Sequence, residues 1–225
     1  MPLGRTEVID GVAAELDHFA DLIAGLNPEA WSTPSRCAGW TVADIAGHVT
    51  GLTADIAAGR LDRLADDTHP EDQAAERRGR ASAEVAAELE AATPAVVAGL
   101  RALDDDAWAA PAPAGLGGTV GSAVLALWCE AYIHGDDIRD ALGRSPERGP
   151  GLRAAVEHLA GVLEAQGWGP ATLALEAMDP IPVGGGGSRL AGDPLLFVLV
   201  ATGRAHHVEL GLTQPLNIYD RPARP

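Results

Sequence analysis

The stretch CEAYIHGDDIRDALG, residues 129–143, ends the most informative predicted helix of the chain. Glu130 and His134 stand four residues apart in an otherwise apolar run, so a helix places them on one face, one turn apart. Ala123 and Ala126 share this face and leave room beside the glutamate. A buried carboxylate without a partner would cost several kcal/mol or become protonated. The pair is therefore either satisfied by interior partners or part of a metal site, and its spacing leaves both interpretations open.

Three other segments repeat the apolar spacing of this helix. Apolar residues recur at three- and four-residue steps, which predicts amphipathic helices over residues 8–26, 42–56, 85–100 and 120–142. Thr41 and Asp44 form a capping box before the second helix, and Pro94 predicts a kink or a break in the third. Four such helices joined by loops predict a four-helix bundle.

The pattern changes after Pro150. The segment GLRAAVEHLAGVLEAQGW predicts one more helix, and ATLAL and the residues around SRLAG predict short strands. DPLLFVLVATGR predicts a buried helix that begins at Asp193-Pro194. We therefore expect a mainly α protein, with a four-helix bundle over residues 1–145 and a small α+β region over residues 146–225.

The charge balance excludes several classes of partner. With 16 basic and 32 acidic residues the net charge is −16, which repels nucleic acid and anionic lipid. Two cysteines are too few for a disulfide framework and indicate a reducing compartment. The N-terminus lacks the apolar core of a signal peptide, and no apolar run approaches the ~18 residues of a membrane span. We expect a cytoplasmic protein that acts on a small molecule, without nucleic-acid or membrane partners.

His48 is a third candidate ligand. It lies at the edge of the apolar stripe of the second helix, which could pack against the helix that carries Glu130 and His134. Two imidazoles and one carboxylate from two helices form the three-ligand set of an open, catalytic zinc site. The sequence separation between the two helices leaves this grouping a hypothesis.

Two stretches carry a resemblance to a known family. WSTPSRCAGWTVADIAGHVTGL, residues 31–52, and EAYIHGDDIRDALG, residues 130–143, resemble the mycothiol-dependent maleylpyruvate isomerase family, within the DinB-like four-helix metalloproteins. Members carry a W-x-x-P-(S/T)-x-C-x-G-W-(T/S)-V-x-D segment before a ligand histidine, and E-x-x-x-H-x-x-D-(I/L)-R-x-A-x-G on a later helix. The resemblance implies a DinB-like bundle whose divalent metal is bound by His48, Glu130 and His134.

The resemblance also implies a cofactor, the low-molecular-weight thiol mycothiol, with its sulfur on the metal. Zinc is the metal that imidazole and carboxylate ligands favour, and it deprotonates a bound thiol at neutral pH. An isomerase would add this thiolate to a conjugated cis double bond and release it after rotation. An S-transferase would instead leave it attached to an electrophilic substrate. Two alternatives need no thiol: a metal-dependent hydrolase, and a non-catalytic DinB-like protein that binds a small molecule.

Other residues have candidate supporting roles. Asp137 shares the face of Glu130 and His134, and it could accept the ring N–H of His134 or pair with an arginine. Arg204 matches a Gly-Arg element late in the family, which implies that it binds a substrate carboxylate; the alternative is a basic residue that ends a helix. Packing roles are predicted for three residues of the loop before the second helix: Trp31, Cys37 and Trp40.

Overall fold

The computed structural model describes residues 2–219, and the chain forms two compact units. The first unit is Leu3–Glu147, and the second begins at Arg148 and includes Pro2. Among residues 2–219, no helix combines the length and the hydropathy that a bilayer-spanning segment needs.

The first unit is a bundle of helices. In chain order they are α1 (Arg5–Ala24), α2 (Pro28–Trp31), α3 (Val42–Ala57), α4 (His69–Ala75), α5 (Ser82–Ala102), α6 (Asp105–Ala109) and α7 (Val120–Ala141). The four long ones coincide with the four predicted helices, with α1 packed on α5 and α7, and α3 on α5, α4 and α7. Their apolar stripes form a core that includes Leu16, Ile45, Leu89 and Trp128.

The second unit combines helices with a small sheet. It contains α8 (Pro150–Ala165), β1 (Ala171–Leu175), β2 (Ile181–Val183), β3 (Ser188–Gly192) and α9 (Pro194–Ala201). The strand order is β2-β1-β3, with β1 antiparallel to β2 and parallel to β3. The predicted fold class, mainly α with a four-helix bundle and a small C-terminal α+β region, is therefore confirmed.

Local signals set most helix ends. The Thr41 hydroxyl accepts from the Asp44 N–H, and the Asp44 carboxylate accepts in return from the Thr41 N–H at 2.9 Å, which completes the predicted capping box. Of the kink or break predicted at Pro94, the break does not occur, because α5 continues to Ala102. Pro94 removes the helical donor of the Glu90 carbonyl, and both residues are exposed. The packing of α5 on two helices holds the helix together.

One carboxyl group lies inside the bundle. Glu15 on α1 is 8% exposed, and its Oε2 accepts a hydrogen bond from Nε1 of Trp128 on α7 at 3.1 Å. Burial raises the pKa of Glu15 above its ordinary value, and the indole hydrogen bond offsets only part of that effect. The ionised form of Glu15 therefore costs folding free energy.

Glu15→Gln is expected to raise the free energy of unfolding at neutral pH. Because the pKa of Glu15 is higher in the folded than in the unfolded chain, this group's contribution is fully present below the ordinary value of 4.5 and is lost as pH rises through the folded pKa. Glutamine does not titrate, and its oxygen can still accept from the indole. Urea denaturation should give similar stabilities in acid and a more stable variant at neutral pH. Equal stabilities at both would contradict the burial argument.

Candidate metal centre

Helices α3 and α7 bring His48, Glu130 and His134 together. Oε2 of Glu130 lies 3.3 Å from Nε2 of His134 and 3.7 Å from Nε2 of His48. One ligand-type atom from each of the three residues lies within 4.8 Å of the others. Both imidazoles are buried, whereas the Glu130 side chain is 37% exposed. A small molecule can therefore reach the cluster from the side of the carboxylate.

The helices place these side chains for simple reasons. On α7 the four-residue spacing stacks Glu130 and His134 one turn apart. On α3 the capping box at Thr41 fixes where the helix begins, and His48 follows two turns later on the face toward α7. The rings of His48 and His134 have centroids 5.2 Å apart and lie almost at right angles.

The second ring nitrogen of each imidazole is held by another side chain. Nδ1 of His134 lies 2.9 Å from Oδ2 of Asp137, and Nδ1 of His48 lies 2.9 Å from Oε1 of Gln73. These oxygens only accept hydrogen bonds, so each Nδ1 carries a proton and each neutral ring keeps its lone pair on Nε2. Both Nε2 atoms then face the Glu130 carboxylate.

The electrostatics of the cluster favour a positive charge beside Glu130. Burial lowers the pKa of His134, but its hydrogen bonds, first of all to Asp137, raise that pKa well above the ordinary value. Burial raises the pKa of Glu130, while its two imidazole neighbours, first His134 and then His48, hold that pKa well below the ordinary value. This positive charge can come from a proton on His134 or from a metal ion bound between the three side chains.

Asp137 is completely buried and is held by several donors. Arg36 Nε donates to Oδ1 at 2.7 Å, and the Cys37 thiol donates to Oδ2 at 3.1 Å. Arg36 also pairs with Asp136 at 2.6 Å. Cys37, His134 and Asp137 form a second group of ligand-type atoms within 4.8 Å of one another. The Asp137 oxygens already accept hydrogen bonds from Arg36, Cys37 and His134. We therefore interpret this second group as one that positions His134 for the first cluster.

Trp40 contacts both imidazoles. Its ring centroid lies 5.5 Å from that of His48 and 6.4 Å from that of His134, and its indole N–H donates to Oε2 of Glu71 at 2.9 Å. The prediction of a core anchor is therefore incomplete, because this half-buried ring forms a wall of the cluster. Trp40 directly precedes Thr41, the N-cap residue of α3, so the start of that helix also places Trp40.

The donor set fits a divalent metal. Two imidazole nitrogens and one carboxylate oxygen point toward one another, and each imidazole donates its other N–H to an acceptor, as in metal sites generally. Imidazole ligands disfavour magnesium and calcium and suit zinc and its neighbours. Three protein ligands leave a coordination position for a further ligand.

Two residues of this site were not predicted from the sequence, Arg36 and Gln73. Gln73 lies on α4, within the charged stretch between the second and third predicted helices. The sequence contained one signal for the contact between α4 and α3, the pair Gly47 and Gly51, one turn apart on α3. A Cβ added at Gly51 would lie 2.6 Å from Cβ of Gln73, so the missing side chains let α4 approach α3 closely and bring Gln73 to His48.

Arg204 lies in the second unit, after the end of α9. It is half-buried, and its Nη1 donates to the carbonyl of Thr202 at 3.4 Å. Its role toward a substrate stays a prediction. Arg139, on α7, is buried and forms an ion pair with Glu147, which is a structural contact.

Comparisons with known proteins agree with this architecture. The profile of one family, the mycothiol maleylpyruvate isomerase N-terminal domain, matches residues 12–139, more than half of the chain. A solved structure described as a mycothiol-dependent maleylpyruvate isomerase has a TM-score of 0.68 at 16% identity, covering 96% of this chain and 97% of that one. A mutant of such an enzyme has a TM-score of 0.63 at 17% identity, with the same coverage. No curated protein matches the sequence.

The matched range contains the whole cluster, from Arg36 and His48 to Gln73, Glu130 and His134. At such low identity the two solved structures establish the fold alone, while the family match rests on the sequence itself. The predicted family is therefore confirmed, and the chain belongs to the family of the mycothiol maleylpyruvate isomerase N-terminal domain.

Proposed function

We propose that this protein is a metal-dependent isomerase that uses mycothiol or a similar low-molecular-weight thiol. The observation that carries the proposal is the convergence of His48 Nε2, Glu130 Oε2 and His134 Nε2 beside a solvent-exposed carboxylate. Family membership supports the thiol, and the two solved relatives are described as mycothiol-dependent maleylpyruvate isomerases. The proposed substrate is a small molecule with a conjugated cis double bond.

The three convergent side chains would hold the metal, which we propose to be zinc because of the ligand types. When bound, such an ion supplies a positive charge that keeps a coordinated thiol deprotonated at neutral pH. Glu130 contributes the one negative charge of the ligand set. Two neutral imidazoles leave the site with a net positive charge, which favours an anionic sulfur.

The residues around the ligands prepare this chemistry. Asp137 retains the Nδ1 proton of His134, so that Nε2 of this ring can bind a cation. Trp40 covers one side of both imidazoles and limits the approach of water from that side. We further propose that Arg204 binds a substrate carboxylate through its planar guanidinium, which makes an acidic substrate the expected one.

The thiol is tested with the absorption spectrum of the cobalt-substituted protein. Adding mycothiol is expected to produce a sulfur-to-cobalt charge-transfer band, and isomerisation of maleylpyruvate is expected to require both metal and thiol. The Arg204→Ala variant should keep the band and lose affinity for an acidic substrate by about 2–5 kcal/mol, the cost of breaking a buried charge pair.

Other outcomes would identify the alternative functions. Thiol-independent turnover of an ester or amide without the band would indicate a hydrolase. A band accompanied by transfer of the thiol to an electrophile, without isomerisation, would indicate an S-transferase. Neither band nor turnover would indicate a binding protein.

A further inference from the structure

A buried chain of hydrogen bonds leads away from the candidate ligand His48. Its Nδ1 lies 2.9 Å from Oε1 of Gln73, and Nε2 of Gln73 donates to Oδ2 of Asp55 at 2.7 Å. Asp55 in turn accepts from Arg60 at 2.7 Å and lies 2.9 Å from Nε2 of His69. These hydrogen bonds join α3 to α4 and to the loop between them.

Asp55 decides which way the Gln73 amide points. Burial raises the pKa of Asp55, but hydrogen bonds from Gln73, Arg60 and His69 lower it below the ordinary value, so it is an ionised carboxylate. A carboxylate only accepts hydrogen bonds, so the Gln73 NH₂ group must face it. The amide oxygen is then left to face His48.

The orientation of the amide decides the tautomer of His48. An amide oxygen only accepts, so Nδ1 of His48 must carry a proton, and in the neutral ring the lone pair must lie on Nε2, on the side of Glu130. The opposite tautomer would place two lone pairs against each other at 2.9 Å and would turn an N–H toward the metal position. Gln73 is 2% exposed and Asp55 is 8% exposed, so little water can offer other partners.

The packing of α4 against α3 keeps Gln73 in reach of His48. The glycines at Gly47 and Gly51 flank His48 on α3, and an added Cβ at either would meet α4 at 3.2 Å or less. Arg77 Nη1 also donates to the backbone carbonyl of Gln73 at 3.0 Å. The amide is therefore held in position as well as in orientation.

We propose that Gln73, oriented by Asp55, is a positioning residue that fixes His48 in the Nδ1–H tautomer and so presents its Nε2 to the metal. This inference rests on the proposed metal site, yet it concerns the protein without metal as well. The two candidate histidine ligands then have different acceptors for their Nδ1–H groups, an ionised carboxylate for His134 and a neutral amide for His48.

The first test is the tautomer in the metal-free protein. Long-range ¹H–¹⁵N NMR spectra at mildly alkaline pH distinguish the two neutral forms of an imidazole, and a His48→Asn variant identifies its signals. Wild type is expected to show the Nδ1–H form of His48, and Gln73→Met is expected to show a mixture. A wild-type protein with the Nε2–H form would overturn the proposal without any further variant.

The second test is zinc affinity, measured by competition with a chromophoric chelator. Gln73→Met should bind zinc about 10–100-fold more weakly, the usual effect of losing the partner of a ligand histidine. The matched control is Gln166→Met, which removes an exposed glutamine hydrogen bond in the other unit and should bind zinc like wild type.

A double variant separates the role of the hydrogen bonds from that of folding. In Gln73→Glu/Asp55→Asn the acceptor for His48 is a carboxylate, and the new amide at position 55 donates to it, so the Nδ1–H tautomer and the zinc affinity should return. Normal zinc binding by wild type together with unchanged affinity in Gln73→Met would refute the role of Gln73 alone. Absence of zinc binding by wild type would instead refute the proposed metal site.

Discussion

Replacing His134 by alanine is expected to reduce bound zinc from about one ion per chain to near zero. The variant loses one of three ligands, and the two that remain, His48 and Glu130, do not enclose an ion. The loss should therefore exceed the roughly 10–100-fold effect of removing an outer partner of a ligand. Elemental analysis after dialysis against zinc, with chelator competition for the affinity, measures the change.

His18→Ala is the matched control for this experiment. His18 lies on the exposed face of α1, far in sequence from the cluster, so this variant should keep the full complement of zinc. His48→Ala should behave like His134→Ala, since each removes one imidazole. Full zinc occupancy in both ligand variants, with the fold intact by circular dichroism, would rule out the proposed site.

Arg36→Met is expected to lower the free energy of unfolding by about 3–5 kcal/mol, the usual result of breaking a buried ion pair. Arg36 bridges Asp136 and Asp137, whose side chains are 6% and 0% exposed, at 2.6 and 2.7 Å. Without the guanidinium, two neighbouring carboxylates stay buried, and Asp136 loses this charged partner. Urea denaturation followed by tryptophan fluorescence measures the effect.

Arg63→Met provides a comparison with the same chemistry in a different environment. Arg63 also bridges two aspartates, Asp66 and Asp72, at 2.9 and 2.7 Å, but all three side chains are well exposed. Solvent screens such pairs, so this variant should unfold almost like wild type. A similar loss of stability in both variants would show that burial is not what makes the Arg36 pairs important.

Local sequence signals were sufficient to predict the bundle and half of the candidate site. Helix-forming signals are local: apolar residues at three- and four-residue steps defined α1, α3, α5 and α7, and capping residues defined where α3 begins. The four-residue spacing of Glu130 and His134 places both on one face wherever the helix lies. The two motifs also identified the family, because their residues could be compared without knowing the fold.

The contacts between side chains distant in sequence depend on how the helices pack. Nothing in the local pattern around His48 says that α3 packs against α7, so its grouping with Glu130 and His134 was a hypothesis from residue types, which the family resemblance supported. Helix α4 has seven residues, too few for stability on its own, so its hydrophobic pattern was too weak to predict and its Gln73 went unnoticed.

The same reasoning applies to Pro94, Trp40 and Arg36. Packing of α5 against two neighbours outweighs the hydrogen bond that Pro94 removes, a free-energy balance that no local pattern contains. Trp40 and Arg36 lie in an irregular loop, where side-chain direction has no period from which a partner could be inferred. Local periodicity determines the faces of helices, whereas contacts between elements depend on how those faces pack, and so the support of the candidate site became visible only in the folded chain.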